Sequence, residues 1–217
     1  MDRLGRRGFA TSLVGIGLAG CLSDNTGPTG LGEHLSSVDL GEVAQLGPRP
    51  TEADGVIVAF MDPSCSSCAV FTKDTFPQLR DGPVERGSLS YIERLVPWVT
   101  PAWSRPAIHA LHAVLDSNPQ SYWKLKSAYY QAQGDLDAET IMAWTLSECA
   151  TLGVDAEAVR SAMMEYRYSD RISAAEESAG ANGVVAVPSF LLFTHGELLT
   201  SVTGPQPYEV FEGAMDL

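Results

Sequence analysis

The chain has 217 residues, 45% of them hydrophobic and 19% charged, the composition of a globular protein able to bury one good core and not of a disordered or fibrous one. Its 27 acidic and 14 basic residues give a formal charge of -13. Removing Asp2, Arg3, Arg6 and Arg7 with a leader expected to be cleaved lowers the counts to 26 and 11, a net of -15, and such a surface repels nucleic acid and anionic membranes.

Lysine is confined to Lys73, Lys124 and Lys126. Acid excess with scarce lysine is the pattern of a surface adapted to high salt, where counterions screen the self-repulsion; an ordinary acidic secreted protein is the plainer alternative.

Residues 1–21 read as an address. Arg6-Arg7-Gly8-Phe9 is a twin-arginine pair before an aromatic, and Ala10 to Ala19 is a short apolar region, the layout of a Tat export signal. Leu18-Ala19-Gly20-Cys21 resembles a lipoprotein cleavage box, which would make Cys21 the lipidated mature N-terminus. The run from Phe9 to Leu22 is too short and too glycine-rich for a transmembrane helix. Gly15-Ile16-Gly17-Leu18-Ala19-Gly20, with Asp39 beyond it, imitates a dinucleotide fingerprint but lacks the preceding strand that the fingerprint needs. Residues 22–33, rich in Gly, Thr, Ser and Pro, read as a flexible tether.

The folded domain is expected from His34 to the C-terminus, with Val38-Asp39-Leu40 as a short edge strand and Leu46-Gly47-Pro48-Arg49-Pro50 as a turn-prone link. Val56 to Met61 is an unbroken apolar run, which suits a central strand covered on both faces. Ala69 to Leu79 has helical character, with Pro77 kinking or ending it, and Asp81-Gly82-Pro83 reads as a break. Leu89 to Val96 alternates enough for the next strand.

From Ser104 to Ala181 the segments Arg105 to Asp116, Gln120 to Gln133, Ala138 to Leu152 and Asp155 to Gly180 read as helices separated by Asn118-Pro119, Gly134-Asp135 and Gly153. Ser189 to Thr194 and Leu198 to Val202 flank His195-Gly196-Glu197 as a β-hairpin, and Pro207 to Met215 can form a closing helix. The whole is an α/β domain with an inserted helical block.

The chemistry centres on Cys65-Ser66-Ser67-Cys68, between the buried strand and the helix. A thiol pair at a helix N-terminus is poised for disulfide chemistry, because the helix dipole stabilises the attacking thiolate. Half of a zinc site or a structural disulfide are the competing readings; His109-Ala110-Leu111-His112 is a conceivable other half, but zinc sites favour His-x₃₋₅-His and nearer pairs. His112 falls in the stripe Ile108, Leu111, Leu115, where a packed core histidine is commoner. Cys149 reads as a small buried apolar side chain, and the four tryptophans, Trp98, Trp103, Trp123 and Trp144, as core or groove aromatics.

Phe60-Met61-Asp62-Pro63-Ser64-Cys65-Ser66-Ser67-Cys68, together with Val185-Ala186-Val187-Pro188-Ser189-Phe190 before a hairpin and terminal helix, resembles the DsbA-like branch of the thioredoxin fold. The resemblance covers about Val38 to the C-terminus. It implies a cis Pro188, with Val187 offering backbone groups to a substrate chain opposite Cys65, and Cys68 as the residue that resolves a mixed disulfide. It further implies cysteine-containing exported proteins as substrates, an unknown membrane redox partner and no cofactor.

Two departures stand out. Ser66-Ser67 replaces the Pro followed by His or an aromatic common in the family, so no imidazolium charge supports the thiolate. The buried acid that many relatives place six residues before the first cysteine is Ala59 here; Asp62, three before it, matches a subgroup pattern and is a candidate proton acceptor, although an Asp before Pro is more often a turn residue. A lipid-anchored oxidoreductase, a thiol reductase or metallochaperone for metal-centre assembly, and a non-enzymatic peptide-binding lipoprotein all remain compatible with the sequence.

Overall fold

The computed structural model describes residues 42–217. Cys21, the export signal, the tether and the edge strand at Val38-Asp39-Leu40 lie outside the described residues.

Five strands form one sheet in the order β1-β3-β2-β4-β5. They are β1 (Ala44–Leu46), β2 (Gly55–Met61), β3 (Leu89–Leu95), β4 (Ser189–Thr194) and β5 (Glu197–Thr203). β2 runs parallel to β3, and the other three pairings are antiparallel. Every residue of β2 is buried, because its alternate sides feed two cores. Ile57, Ala59 and Met61 join the larger one, while Val56, Val58 and Phe60 join a smaller one closed by Ala175, Ala179 and Val184. β3 alternates in chemistry but not in burial: Glu93 and Arg94 are as enclosed as Ile92. At the turn after β1, Gly47 has φ +82°, and a Cβ there would stand 2.3 Å from the Leu89 carbonyl oxygen, so only glycine lets the edge strand lie close against β3.

The crossover between β2 and β3 starts earlier than its sequence suggests. Helix α1 spans Ser66–Asp74, and α2, Phe76–Leu79, follows it at once. The interruption expected at Pro77 falls at Thr75, between the two helices, and Pro77 itself sits in the first turn of α2, where its missing N–H is no loss. The expected break at Asp81-Gly82-Pro83 is one wide turn, Arg80–Val84, with non-helical torsions confined to Gly82.

The helical block comprises α3 (Pro101–Ser117), α4 (Pro119–Ala132), α5 (Ile141–Thr151), α6 (Ala156–Met164) and α7 (Ser169–Ala181). The single helix expected over Asp155 to Gly180 is therefore two, and the chain turns between them at Tyr166, whose φ is 50°. Breaking there lets α7 cover the second face of the sheet, a gain that helix propensity does not register. The hairpin turns on His195 (φ 52°) and Gly196 (φ 83°), with Glu197 already in β5, and α8 (Tyr208–Met215) closes the fold through Phe211.

His109 and His112 pack against the tyrosines of the α6–α7 turn. Tyr168 donates its backbone N–H to His109 Nδ1 at 3.0 Å, and the His112 ring lies 5.5 Å from the Tyr168 ring. Burial, reinforced by Arg105, lowers His109 to about 4, and burial, reinforced by Arg171, lowers His112 to about 3. Both are therefore neutral in the folded state while the unfolded chain takes up protons below pH about 6.5. Their contribution to stability is complete above that pH and declines as pH falls towards 4 and then 3. His112→Leu should accordingly lose less melting temperature between pH 7 and pH 5 than the parent, as measured by thermal unfolding.

Candidate active site

The end of β2 delivers Asp62 and Pro63 into a tight turn whose geometry Asp62 dictates. The Asp62 carboxylate is fully buried. One oxygen accepts from the backbone N–H and the hydroxyl of Ser64, both at 2.7 Å, and the other accepts from the Val99 N–H at 2.7 Å. The Ser64 hydroxyl oxygen in turn accepts from the Thr100 N–H at 2.9 Å. The loop after β3 is thereby fastened to the loop before the cysteines. From the other side, the Gln133 amide, beyond the end of α4, donates to the carbonyls of Pro63 at 2.7 Å and Cys65 at 3.0 Å.

Cys65 is the N-cap of α1. Its sulfur takes the place of the oxygen that usually satisfies the first-turn amides, accepting from the Cys68 N–H at 3.2 Å. Both cysteines are reduced and buried, Cys65 with 5% of its surface exposed and Cys68 with none. The Cys68 thiol bonded to the Cys65 sulfur, assisted by the Cys68 and Ser67 amides, holds Cys65 below its ordinary range against burial and the Asp62 charge. Burial, with the Cys65 bond and charge behind it, pushes Cys68 far above its own. The two thiols are thus split into one that ionises readily and one that does not. Among the described residues the Ser66 and Ser67 hydroxyls take no part; the support comes from the Cys68 thiol first and from the Cys68 and Ser67 backbone amides after it.

The Val187–Pro188 peptide is cis. It presents the Val187 carbonyl to the Cys65 thiol at 3.4 Å, while the Pro188 carbonyl accepts from the Gly204 N–H at 2.8 Å. Residues 122 positions apart in the chain therefore meet at the reactive sulfur. Asp62, Cys65, Cys68, Val187 and Pro188 form one cluster.

The other reactive side chains stand elsewhere. Cys149 is wholly buried and raised to about 11 by burial and by Glu148. His109 and His112 belong to the α3–α7 packing described above. Among the described residues no three His, Cys, Asp or Glu side chains are grouped to hold a metal ion.

A second buried polar group was not evident in the sequence. Glu93 of β3 is the cross-strand partner of Ala59, and it is 2% exposed. Its carboxylate accepts from Lys126 Nζ at 2.5 Å, from Tyr122 at 2.8 Å and from Tyr91 at 3.3 Å. Lys126, 1% exposed, also stands over the rings of Phe76 and Trp123, 4.8 and 4.7 Å from their centroids. The phenols of Tyr91 and Tyr130 are both pushed up, chiefly by burial and further by the charges of Glu93 and Cys68, which places this pair and the inner thiol in one electrostatic neighbourhood. The buried acid missing at Ala59 thus has a counterpart on the adjacent strand. The signal that could have found it is Glu93-Arg94 inside an otherwise apolar strand, together with one of only three lysines.

Comparison with known proteins agrees with this geometry. Disulfide bond formation protein D of Bacillus subtilis (strain 168) is 27% identical over 99 residues, 46% of this chain and 44% of that protein, so the match spans less than half of the relative. The crystal structure of oxidised BdbD from Bacillus subtilis superposes with a TM-score of 0.71 at 17% identity, covering 85% of this chain and 95% of that one. Wolbachia pipientis alpha-DsbA1 gives 0.71 at 15% identity over 82% and 92% of the two chains, and Chlamydia trachomatis DsbA gives 0.67 at 17% over 80% and 89%. These likenesses establish a thioredoxin-like fold of the DsbA kind, with the helical block set into it. The family model described as "Thioredoxin" matches residues 50–216, and the chain belongs to that family.

Proposed function

We propose that the chain is a protein thiol-disulfide oxidoreductase that forms or exchanges disulfides in exported, cysteine-containing proteins through Cys65 and Cys68. The observation that carries the reading is the asymmetry of the pair. Cys65 is held low at a helix N-terminus facing the Val187 carbonyl, and Cys68 is held high behind it.

In the oxidising direction a substrate thiolate attacks the Cys65 sulfur of the Cys65–Cys68 disulfide, and Cys68 leaves as a thiolate and takes up a proton. A second substrate thiolate then attacks the substrate sulfur of the mixed disulfide, and Cys65 leaves. The substrate has lost two electrons and two protons, and the pair has gained the electrons. Stabilising Cys65 as a thiolate favours the reduced form of the pair and so makes its disulfide the better oxidant. Val187 and Pro188 would align the substrate backbone, and Asp62 would keep the loop in place. Glu93, held by Lys126, would exchange the proton of Cys68. A membrane redox partner would reoxidise the pair.

Supporting an exported location are Arg6-Arg7 and the box ending at Cys21, which we read as a Tat lipoprotein signal anchoring the domain outside the cytoplasmic membrane through residues 22–33. Among the described residues no helix is long and apolar enough to cross a membrane. The charge of -13 further supports a high-salt setting, in which the melting temperature should rise steeply with molar KCl; a flat response would remove that part of the reading.

Titrating the cysteine pair against a dithiothreitol ladder, with metal analysis alongside, tests the central claim. A reversible two-electron couple is expected. Its absence would sink the assignment, and stoichiometric copper or zinc would favour a metallochaperone or reductase of metal-centre assembly instead.

A further inference from the structure

A groove with a volume of about 790 Å³ lies between α1–α2 and α4, with Leu46 of β1 at its edge. None of Asp62, Cys65, Cys68, Val187 or Pro188 lines it. Its walls are apolar and aromatic: Val70, which is 46% exposed, Pro77, and the stacked rings of Phe76 and Trp123, 5.6 Å apart and 20° from parallel. A volume of this size is typical of pockets that enclose a small organic ligand, whereas protein partners are met by broader, flatter surfaces.

Its charge is the reverse of the molecule's. Lys73, Lys124 and Lys126, all three lysines of a chain with net charge -13, line this one groove together with Arg80, and the acidic lining is Asp74 alone. Lys126 is committed to Glu93, and Arg80 donates to Asp81 at 2.6 Å. Lys73 and Lys124 form no ion pair among the described residues.

We propose that this groove is a binding site for a small amphipathic organic anion, with a flat apolar body against Trp123, Phe76 and Val70 and a carboxylate or sulfonate directed at Lys73 and Lys124. Charge complementarity on an acidic surface selects the anionic end, and the paired aromatic rings select the apolar one. Neither Cys65 nor Cys68 lines the groove. Occupancy therefore leaves the thiol accessible, and the proposal is independent of the redox assignment.

The test uses the full chain with Cys65 alkylated, so that no Cys65–Cys68 disulfide can form. Anilinonaphthalene sulfonate is the probe, and the same fused rings without the sulfonate are the neutral control. One saturable site is expected, with energy transfer to the probe that falls in Trp123→Phe. The double variant Lys73→Glu, Lys124→Glu should bind the sulfonate about tenfold or more weakly while leaving the neutral compound unchanged. Val70→Trp, which fills the groove, should abolish binding of both. The preference for the sulfonate should narrow as KCl rises. Equal affinity for sulfonate and neutral compound, insensitivity to the double charge reversal, or non-saturable uptake would each overturn the proposal. Circular dichroism of each variant separates loss of the site from loss of the fold.

Discussion

Cys65→Ala should abolish disulfide exchange, lowering its rate by at least about a thousandfold, because it removes the one thiol of the pair that ionises readily and groups that act as a unit fail as a unit. Cys68→Ala should behave differently. Given a disulfide substrate, it keeps the attacking sulfur but lacks the thiol that resolves the mixed disulfide in the reducing direction, so substrate should accumulate covalently on Cys65, visible on a non-reducing gel and by mass spectrometry. It also removes the main support of the thiolate, the Cys68 thiol bonded to the Cys65 sulfur. The pH midpoint for alkylation of Cys65 by iodoacetamide should therefore move up towards that of an ordinary thiol. A Cys68→Ala protein that is alkylated with the parent's pH profile, and forms no trapped adduct, would contradict the division of labour proposed for the pair.

Glu93→Ala should destabilise the fold by about 3–5 kcal/mol, since it leaves the buried ammonium of Lys126 without a counter-charge and the Tyr122 and Tyr91 hydroxyls without an acceptor. The loss is read as a drop in the urea midpoint at unchanged slope. Adding Lys126→Met to the Glu93→Ala protein should restore much of it, because the cost arises from the uncompensated charge more than from the lost pair. Failure of the second substitution to recover stability would mean that Glu93 acts through packing, not through charge. Glu93→Gln is the milder probe of chemistry. It keeps the shape but cannot accept a proton, so in the reducing direction, where Cys68 must lose its proton to attack, it should slow release of the mixed disulfide more than its formation.

These two sites differ in how far the chain alone reveals them. Cys65-Ser66-Ser67-Cys68 is legible because its elements are local: an apolar run, two thiols three apart and a helix start lie within about a dozen residues. The Val187–Pro188 contact was reachable through resemblance only, since nothing in the residues between Cys65 and Val187 states that β4 lies beside β2. The Glu93–Lys126 pair was missed because strand periodicity assigns a polar residue in an alternating segment to solvent. Here α4 covers that face and turns Glu93 inward. The Gln133 amide was missed for the same reason: a polar residue at a helix end carries no mark of the loop it will hold.

The elements themselves were readable where hydrophobic pattern and breaker residues agreed, as in Val56 to Met61 and in the hairpin around His195-Gly196. They were misread where packing overrode local preference, at Tyr166, where the chain bends to send α7 across the second face of the sheet. By itself the sequence determined the acidic surface, the thiol pair, the buried central strand and the α/β class, since each rests on composition or on neighbours along the chain. Only the tertiary structure decided which thiol ionises, which carbonyl faces it, where the buried acid stands and that three lysines converge on one groove. Those properties depend on burial and on contacts between residues far apart in sequence, and burial sets both the cost of a charge and the partner that relieves it.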